Sequence, residues 1–232
     1  MRASHGRSRR DSPRGDRMPE ANTPDNQEEI SCYPSRSNRQ YAERPIGSYL
    51  MPTESPTAEL GAAATAFTLP ATDGETHTLD SLNGANGLVI VFMCNHCPYV
   101  KAVMPNLIRD ALALKEIGIN VAGINSNDAT VYSDDAFDRM VALAKEWNLP
   151  FPYLHDETQE VARAYGAVCT PECFGFDRNL RLRYRGRIDA SRKEALPDVR
   201  RDLYEAMRAI AENREPLEEQ YPALGCSIKW KP

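Results

Sequence analysis

The chain has 232 residues, 41% hydrophobic and 26% charged, with a formal net charge of −5. That balance suits a globular domain with one ordinary core and offers no long basic stripe for nucleic acid. The longest apolar run, Leu88 to Cys94, is far shorter than the roughly 20 residues of a membrane span, and no basic start joined to an apolar stretch marks an export signal. The expected location is therefore cytoplasmic, with neither a membrane nor a nucleic-acid partner.

The first fifty residues carry nine Arg, seven acids and no Lys, rich in Ser, Pro and Asn, and show no apolar periodicity. Such a segment buries too little apolar surface to offset its chain entropy. The sequence predicts a disordered tail over residues 1–54 and a folded domain over 55–232. Its acids oppose an organelle-targeting role, and a native start at Met18 would remove part of it, one at Met51 nearly all. Cys32 lies in this tail and is assigned no function.

Beyond residue 55 strands and helices alternate. Ala66–Leu69 reads as a short strand, Asp73-Gly74 as a turn, and Thr76–Leu79 as a second strand. Gly87–Met93 is a continuous apolar, β-branched run, as in a strand buried on both faces. Pro98 opens a helix in which Val100, Val103, Met104, Leu107, Ile108, Ala111 and Leu114 recur at spacings of three and four. Pro105 inside it is expected to kink it. Ile119–Ile124 is another buried strand. Phe137, Met140, Val141, Ala144 and Trp147 mark a helix stopped by Pro150; Pro152–Leu154 is a brief strand and Val161–Tyr165 a short helix. Glu172–Phe176 and Leu180–Ile188 form a hairpin turning at Asp177-Arg178-Asn179, and Val199, Leu203, Ala206, Met207 and Ile210 give a last helix. The pattern implies the α/β class: a central mixed β-sheet flanked by helices.

Six cysteines are present, Cys32, Cys94, Cys97, Cys169, Cys173 and Cys226, and four of them fall into two tight pairs. Without an export signal, reactive thiols are a better reading than a structural disulfide framework. Cys94-Asn95-His96-Cys97 follows a buried strand and precedes a helix. The spacing lets two sulfurs close a small ring, the strand end brings them to the sheet's carboxyl edge, and the helix N-terminus favours a thiolate. Because proline favours the first helical position, Pro98 places Cys97 at the N-cap and makes it the candidate for the lower pKa, with Cys94 as its exchange partner. An imidazolium at His96 would add to that effect. The order of attack stays open on these grounds.

A zinc reading of Cys94, His96 and Cys97 needs further ligands, for which Cys169, Cys173 and His155 are the candidates; no resident metal or cofactor is expected. Thr170-Pro171 stands just before a strand, where a cis proline would let a substrate chain pair beside Thr170. Cys169 and Cys173 are either secondary thiols or small buried residues.

Several strings taken together resemble a known family. They are Phe67-Thr68-Leu69-Pro70, Phe92-Met93-Cys94-Asn95-His96-Cys97-Pro98-Tyr99-Val100, Gly123-Ile124-Asn125-Ser126-Asn127-Asp128, Cys169-Thr170-Pro171, Arg185-Gly186-Arg187-Ile188-Asp189 and Gly225-Cys226-Ser227-Ile228-Lys229-Trp230. From about residue 55 to the C-terminus the chain resembles a peroxiredoxin-like branch of the thioredoxin superfamily, in the group shared with alkyl hydroperoxide reductases and thiol-specific antioxidants. The resemblance implies a thioredoxin-like fold, antioxidant or thiol oxidoreductase activity, and a redox-active Cys94–Cys97 disulfide. Cys97-Pro98 matches the peroxide-attacking cysteine and its proline. Cys94 stands where that family carries Thr, Val100 where an acid is frequent, and Ile90 where the motif begins with proline.

Three readings compete. The first is a thiol–disulfide oxidoreductase in which Cys97 and Cys94 cycle, Thr170 and Pro171 shape the substrate site, and a thioredoxin or glutathione system supplies electrons. The second is a thiol peroxidase in which Cys97 attacks a hydroperoxide and Cys94 or another cysteine resolves the sulfenic acid, with a cation from Arg181, Arg183, Arg185 or Arg187, although a solvated strand face suits most of these four better. The third is a non-enzymatic metal-binding protein. Cys226, near Trp230, reads as part of an inert, packed tail, with a cover over the active site or a partner surface as the alternative.

Overall fold

The computed structural model of the protein describes residues 52–57, 59–215 and 218–232. The expected tail lies outside these residues as far as Met51, and Cys32 with it. The chain enters through β1 (Pro52–Glu54), a hairpin of β2 (Thr68–Pro70) and β3 (Thr76–Thr78), helix α1 (Leu79–Leu82) and strand β4 (Gly87–Phe92). Helix α2 (Pro98–Glu116), β5 (Ile119–Asn125), a 3-10 turn at Ser133–Asp135, α3 (Phe137–Glu146), β6 (Tyr153–His155) and α4 (Glu160–Tyr165) follow. The last part holds β7 (Cys169–Thr170), β8 (Glu172–Asp177), β9 (Leu182–Gly186), α5 (Asp202–Ala211) and β10 (Leu224–Ser227).

The five-stranded sheet runs β6-β5-β4-β8-β9. Strand β4 is parallel to β5 and antiparallel to β8, so the sheet is mixed, as the alternation of elements implied. Every residue from Leu88 to Met93 is fully buried, and the period of two along a strand divides them between two cores. Val89, Val91 and Met93 join the cluster under α2 and α5, with Leu107, Leu114 and Leu203. Leu88, Ile90 and Phe92 join the other, with Leu69, Leu79, Leu154 and Phe174. Burying one such side chain contributes about 1.5–3 kcal/mol, so β4 is anchored from both sides. That anchoring fixes where its C-terminal end, and the cysteines after it, must lie.

Helix α2 begins at Pro98 with Cys97 at its N-cap, and it runs without a break through Pro105. The hairpin after Pro171 is present as β8 and β9, shorter on the second strand than Leu180–Ile188; Leu180 sits in the turn with a positive φ of 54°. Helix α5 starts at Asp202, so Val199 lies outside it.

The element that periodicity did not reveal is a second, three-stranded sheet, β1-β10-β7. It also moves the start of the domain. Pro52, Thr53 and Glu54, placed in the tail by composition, pair with Cys226, Gly225 and Leu224. Strand β10 in turn pairs Cys226 with Thr170 and Ser227 with Cys169. Strands of two to four residues carry too few side chains to show a period, and here the partner strand supplies what the local pattern lacks.

Gly225 lets β10 come this close. A Cβ there would stand 2.0 Å from the Thr170 carbonyl oxygen, which is backbone and has little room to retreat. We expect Gly225→Ala to lower stability by about 1–3 kcal/mol through overpacking, read as a lower urea midpoint. An unchanged midpoint would mean that β10 can withdraw from Thr170 at no cost.

Candidate active site

The site forms where β4 ends and α2 starts. The four-residue cluster bridges the two, and Cys94 and Cys97 are buried at 1% and 0% exposure. From the opposite side comes the Thr170-Pro171 peptide, which is cis. Thr170 touches both cysteines. Its hydroxyl lies 3.3 Å from Cys94 Sγ, and its carbonyl oxygen accepts from the Cys97 thiol at 3.2 Å. Along one edge of β7 lies the chain's own β10, with Cys226 as the ladder partner of Thr170, and β7 is the outer strand of that sheet.

The two thiols differ sharply in electrostatics. Cys97 is held well below the ordinary thiol range. Hydrogen bonds from the Cys226 and Cys94 thiols lead, burial opposes, and the Val100 and Cys226 amides add further donors. The Val100 amide is one of the free N–H groups of the first turn of α2. Ionised, Cys97 loses its bond to the Thr170 carbonyl, and the donors on its other sides outweigh that loss. Cys94 moves the other way. Burial raises it most, followed by the hydrogen bond it gives to Cys97 and the negative charges of Asp135 and Cys97.

His96 is fixed by a residue the sequence reading missed. Its Nδ1 lies 2.7 Å from Asp135 Oδ2, and its ring stacks on Tyr132 with centroids 5.7 Å apart. Asp135 is fully buried, and it also accepts from the Asn95 amide at 2.7 Å and from Asn127 Nδ2 at 2.8 Å. Asn127 Oδ1 accepts from the Lys229 amide, which ties this loop to the segment after β10. Burial works against a charged His96, but the bond to Asp135, its charge and that of Cys97 raise its pKa on balance. For Asp135 burial again opposes, and the bond from His96 leads the effects that lower it. The signal available in the sequence was Asn125-Ser126-Asn127-Asp128, a run of short polar residues directly after a buried strand.

The remaining expectations sort by distance. Cys169 Sγ lies 3.9 Å from Glu172 Oε2, and burial together with that carboxylate pushes its thiol up. Cys173 is wholly buried in the α2–α5 core, its thiol also raised by burial. Among the described residues the group of three donors close enough to share a metal is Cys94, His96 and Asp135, within 4.8 Å of one another. Cys169, Cys173 and His155 do not join it, and the His155 ring stacks on Phe137 instead. The arginine candidates have other partners: Arg183 bonds Asp177 and Glu215, Arg185 bonds Glu172 at 2.7 Å, and Arg187 bonds Asp202 at 2.7 Å. The Arg181 amide is engaged by Asp177 in the hairpin turn. The cations that act on the sulfur cluster are Lys229 and Lys193, which favour ionisation of Cys226. Cys226 is the ladder partner of Thr170 and lies in the same buried cluster as Cys94 and Cys97.

A dithiol at a helix N-terminus, facing a cis-proline turn across a mixed sheet, defines a redox protein of the thioredoxin-like class. Comparison with known proteins agrees. The chain belongs to the AhpC/TSA family, whose model matches residues 60–185. Over 124 residues it is 27% identical to "Putative peroxiredoxin bcp" of Coxiella burnetii, spanning 72% of that protein and 50% of this chain. Among solved structures it is similar to an uncharacterized conserved protein from Geobacillus kaustophilus, at 43% identity and a TM-score of 0.76, covering 79% of this chain and 98% of that one. A hypothetical protein from Sinorhizobium meliloti 1021 follows at 37% identity and TM-score 0.74, covering 77% and 98%. The thioredoxin domain of a thiol-disulfide oxidoreductase from Bacteroides vulgatus shares the fold at 17% identity and TM-score 0.51, covering 67% and 99%. No described helix is long and apolar enough to cross a membrane.

The His96–Asp135 pair carries a pH signature. Its stabilisation is complete between the unfolded pKa values of about 3.9 for Asp and 6.5 for His. It is lost as pH falls through the depressed value of Asp135, and again as pH rises through the raised value of His96. Asp135→Asn is expected to move the His96 titration, followed by NMR of the ring protons, downward from its wild-type midpoint. A midpoint that stays in place would show that Asp135 does not set it.

Proposed function

We propose that the protein is a thiol–disulfide oxidoreductase in which Cys97 attacks a disulfide and Cys94 resolves the product. The observation that supports this most directly is that Cys97, the N-cap of α2, and Cys94 both face Thr170, Cys97 Sγ at 3.2 Å from its carbonyl oxygen and Cys94 Sγ at 3.3 Å from its hydroxyl. The Cys97 thiolate displaces one thiolate of the substrate and forms a mixed disulfide. Cys94 then gives up its proton to that leaving group, attacks Cys97 Sγ and expels the second substrate thiol, leaving a Cys94–Cys97 disulfide. While Cys97 is ionised, its charge raises the Cys94 pKa. Once Cys97 is bonded that charge is gone, which eases the second step.

Pro98 starts the helix whose amides face the thiolate, and His96 adds positive charge beside it. Thr170 orients both sulfurs, and Pro171 lines an adjoining cleft of about 160 Å³ with Tyr99, Val103, Arg187 and Asp189. A thiol reductant, of the thioredoxin or glutathione kind, would return the disulfide to the dithiol. We assign the protein to the cytoplasm, where a thiol reductant of that kind keeps such cysteines reduced.

A peroxidase reading is favoured by one observation, the burial of both sulfurs. A hydroperoxide needs less displacement of covering atoms to reach Cys97 than a protein disulfide does. It would place the sulfenic acid on Cys97 and its resolution on Cys94.

The test is turnover of a small disulfide, with a thiol reductant in excess, by wild type and by Cys97→Ser and Cys94→Ser. Each variant is expected to lose about 100-fold or more, as residues acting as one unit do. Turnover unchanged in both removes the oxidoreductase reading. One equivalent of hydrogen peroxide separates the alternative. Oxidation of Cys97 at the rate of a free thiol ends the peroxidase reading, and oxidation orders of magnitude faster replaces the first reading by it.

A further inference from the structure

We propose that Cys226 is a third exchange thiol of this site, taking over the disulfide from Cys94 by bonding to Cys97. The inference rests on the reading of Cys97 as the redox thiol and adds a second partner to it.

Three observations place Cys226 at Cys97. It is the ladder partner of Thr170, whose carbonyl oxygen is 3.2 Å from Cys97 Sγ. Side chains of ladder partners share one face of a sheet, and the Thr170 hydroxyl lies 3.3 Å from Cys94 Sγ, so Cys226 faces the same sulfurs. It lies with Cys94 and Cys97 in one buried cluster. The approach is built into the backbone, because only a residue without Cβ lets β10 lie so near Thr170 at position 225. The other thiols are directed elsewhere, Cys169 to Glu172 and Cys173 into the core beneath α5. Cys97 is thus shared by two thiols, one from the β4–α2 junction and one from the second sheet.

The exchange balances without an external oxidant or reductant. Starting from the Cys94–Cys97 disulfide, Cys226 gives up its proton and its sulfur attacks Cys97 Sγ. The Cys97–Cys226 bond forms and the Cys94–Cys97 bond breaks. The electron pair passes to Cys94 Sγ, which takes the proton. The same attack on a mixed disulfide at Cys97 expels the substrate thiol directly. In the reduced protein Cys226 is kept as a thiol, first by its hydrogen bond to Cys97, then by burial and by the Cys97 charge, against the pull of Lys229 and Lys193. Oxidation of Cys97 removes the hydrogen bond and the charge together, so Cys226 becomes easier to ionise when it has something to attack. All three sulfurs are buried, and their exchange needs no solvent-borne partner.

The experiment uses the full chain, oxidised with glutathione disulfide and mapped by mass spectrometry of peptides under non-reducing conditions. Wild type, Cys94→Ser and the double variant Cys94→Ser/Cys226→Ser are compared, with Cys94→Ala as a second single variant and circular dichroism to confirm that each is folded. Wild type is expected to show Cys94–Cys97 together with a share of Cys97–Cys226. Both single variants are expected to show Cys97–Cys226, and the double variant only glutathione on Cys97. Release of glutathione from Cys97 in the single variants should exceed that in the double variant by about tenfold or more, given the positioning of the attacking thiol. Glutathione held on Cys97 with Cys226 free in both folded single variants overturns the proposal, while a Cys94–Cys97 bond in wild type leaves the oxidoreductase reading standing. A wild type that forms no bond at Cys97 overturns both.

Discussion

The site depends on one buried sulfur, Cys97 Sγ, whose pKa its neighbours hold well below the ordinary thiol range. Burial alone would drive a thiol toward its neutral form, and Cys94, Cys169 and Cys173 all follow that rule. Cys97 departs from it because donors converge on it from three separate elements: the first turn of α2, the β4–α2 junction and β10. Each donor is fixed by a different part of the fold. Strand β4, packed on both faces, sets the end of the sheet. Pro98 sets the start of the helix. The short sheet β1-β10-β7 brings in the third side, and without it Cys97 would face fewer donors and the Thr170 carbonyl.

A buried acid, Asp135, organises the polar side of the same site. It sits at the end of a 3-10 turn, far from the cysteines in sequence, yet it receives the Asn95 amide, His96 and Asn127. A buried carboxylate is tolerated only when its acceptors are filled, and here the partners that fill them belong to the redox loop. Removing Asp135 would therefore loosen Asn95 and His96 together. Glu172 plays a comparable structural part below Thr170, bonded by Arg185 and by the Val168 amide. That pairing explains why the arginines after Pro171 do not serve the thiolate: Arg185 is occupied in neutralising a carboxylate that would otherwise be buried alone.

Much of the site was legible before any coordinates. Cys94, His96, Cys97 and Pro98 are adjacent in sequence, so a strand on one side and a proline on the other were enough to place them at a helix N-terminus. Thr170-Pro171 could be recognised only through its position before a strand. Asp135 could not be linked to the cluster, since it reaches it across dozens of residues, and Asn127 and Cys226 stood in family strings that do not say what they touch. The arginine stretch misled for a related reason: alternating charges on a strand look alike until their partners are known, and each of the described partners is a distant acid or a turn.

The sequence by itself determined the α/β alternation, the doubly buried central strand and the place of Cys94 and Cys97 at the start of a helix, because these follow from periodicity, proline chemistry and short spacing, all of which act over a few residues. It also carried the family resemblance, in strings that remain contiguous. Only the tertiary structure decided that residues 52–54 belong to the domain, that β10 lies against Thr170 and that Cys226 joins the sulfurs. It alone decided which of the two cysteines is the lower in pKa beyond the helix effect, since that balance is a sum of hydrogen bonds and charges from elements up to 130 residues apart (Cys97 and Cys226 are 129 positions apart). Local physics is written along the chain, whereas desolvation and hydrogen bonding at a buried sulfur depend on what the folded chain brings beside it.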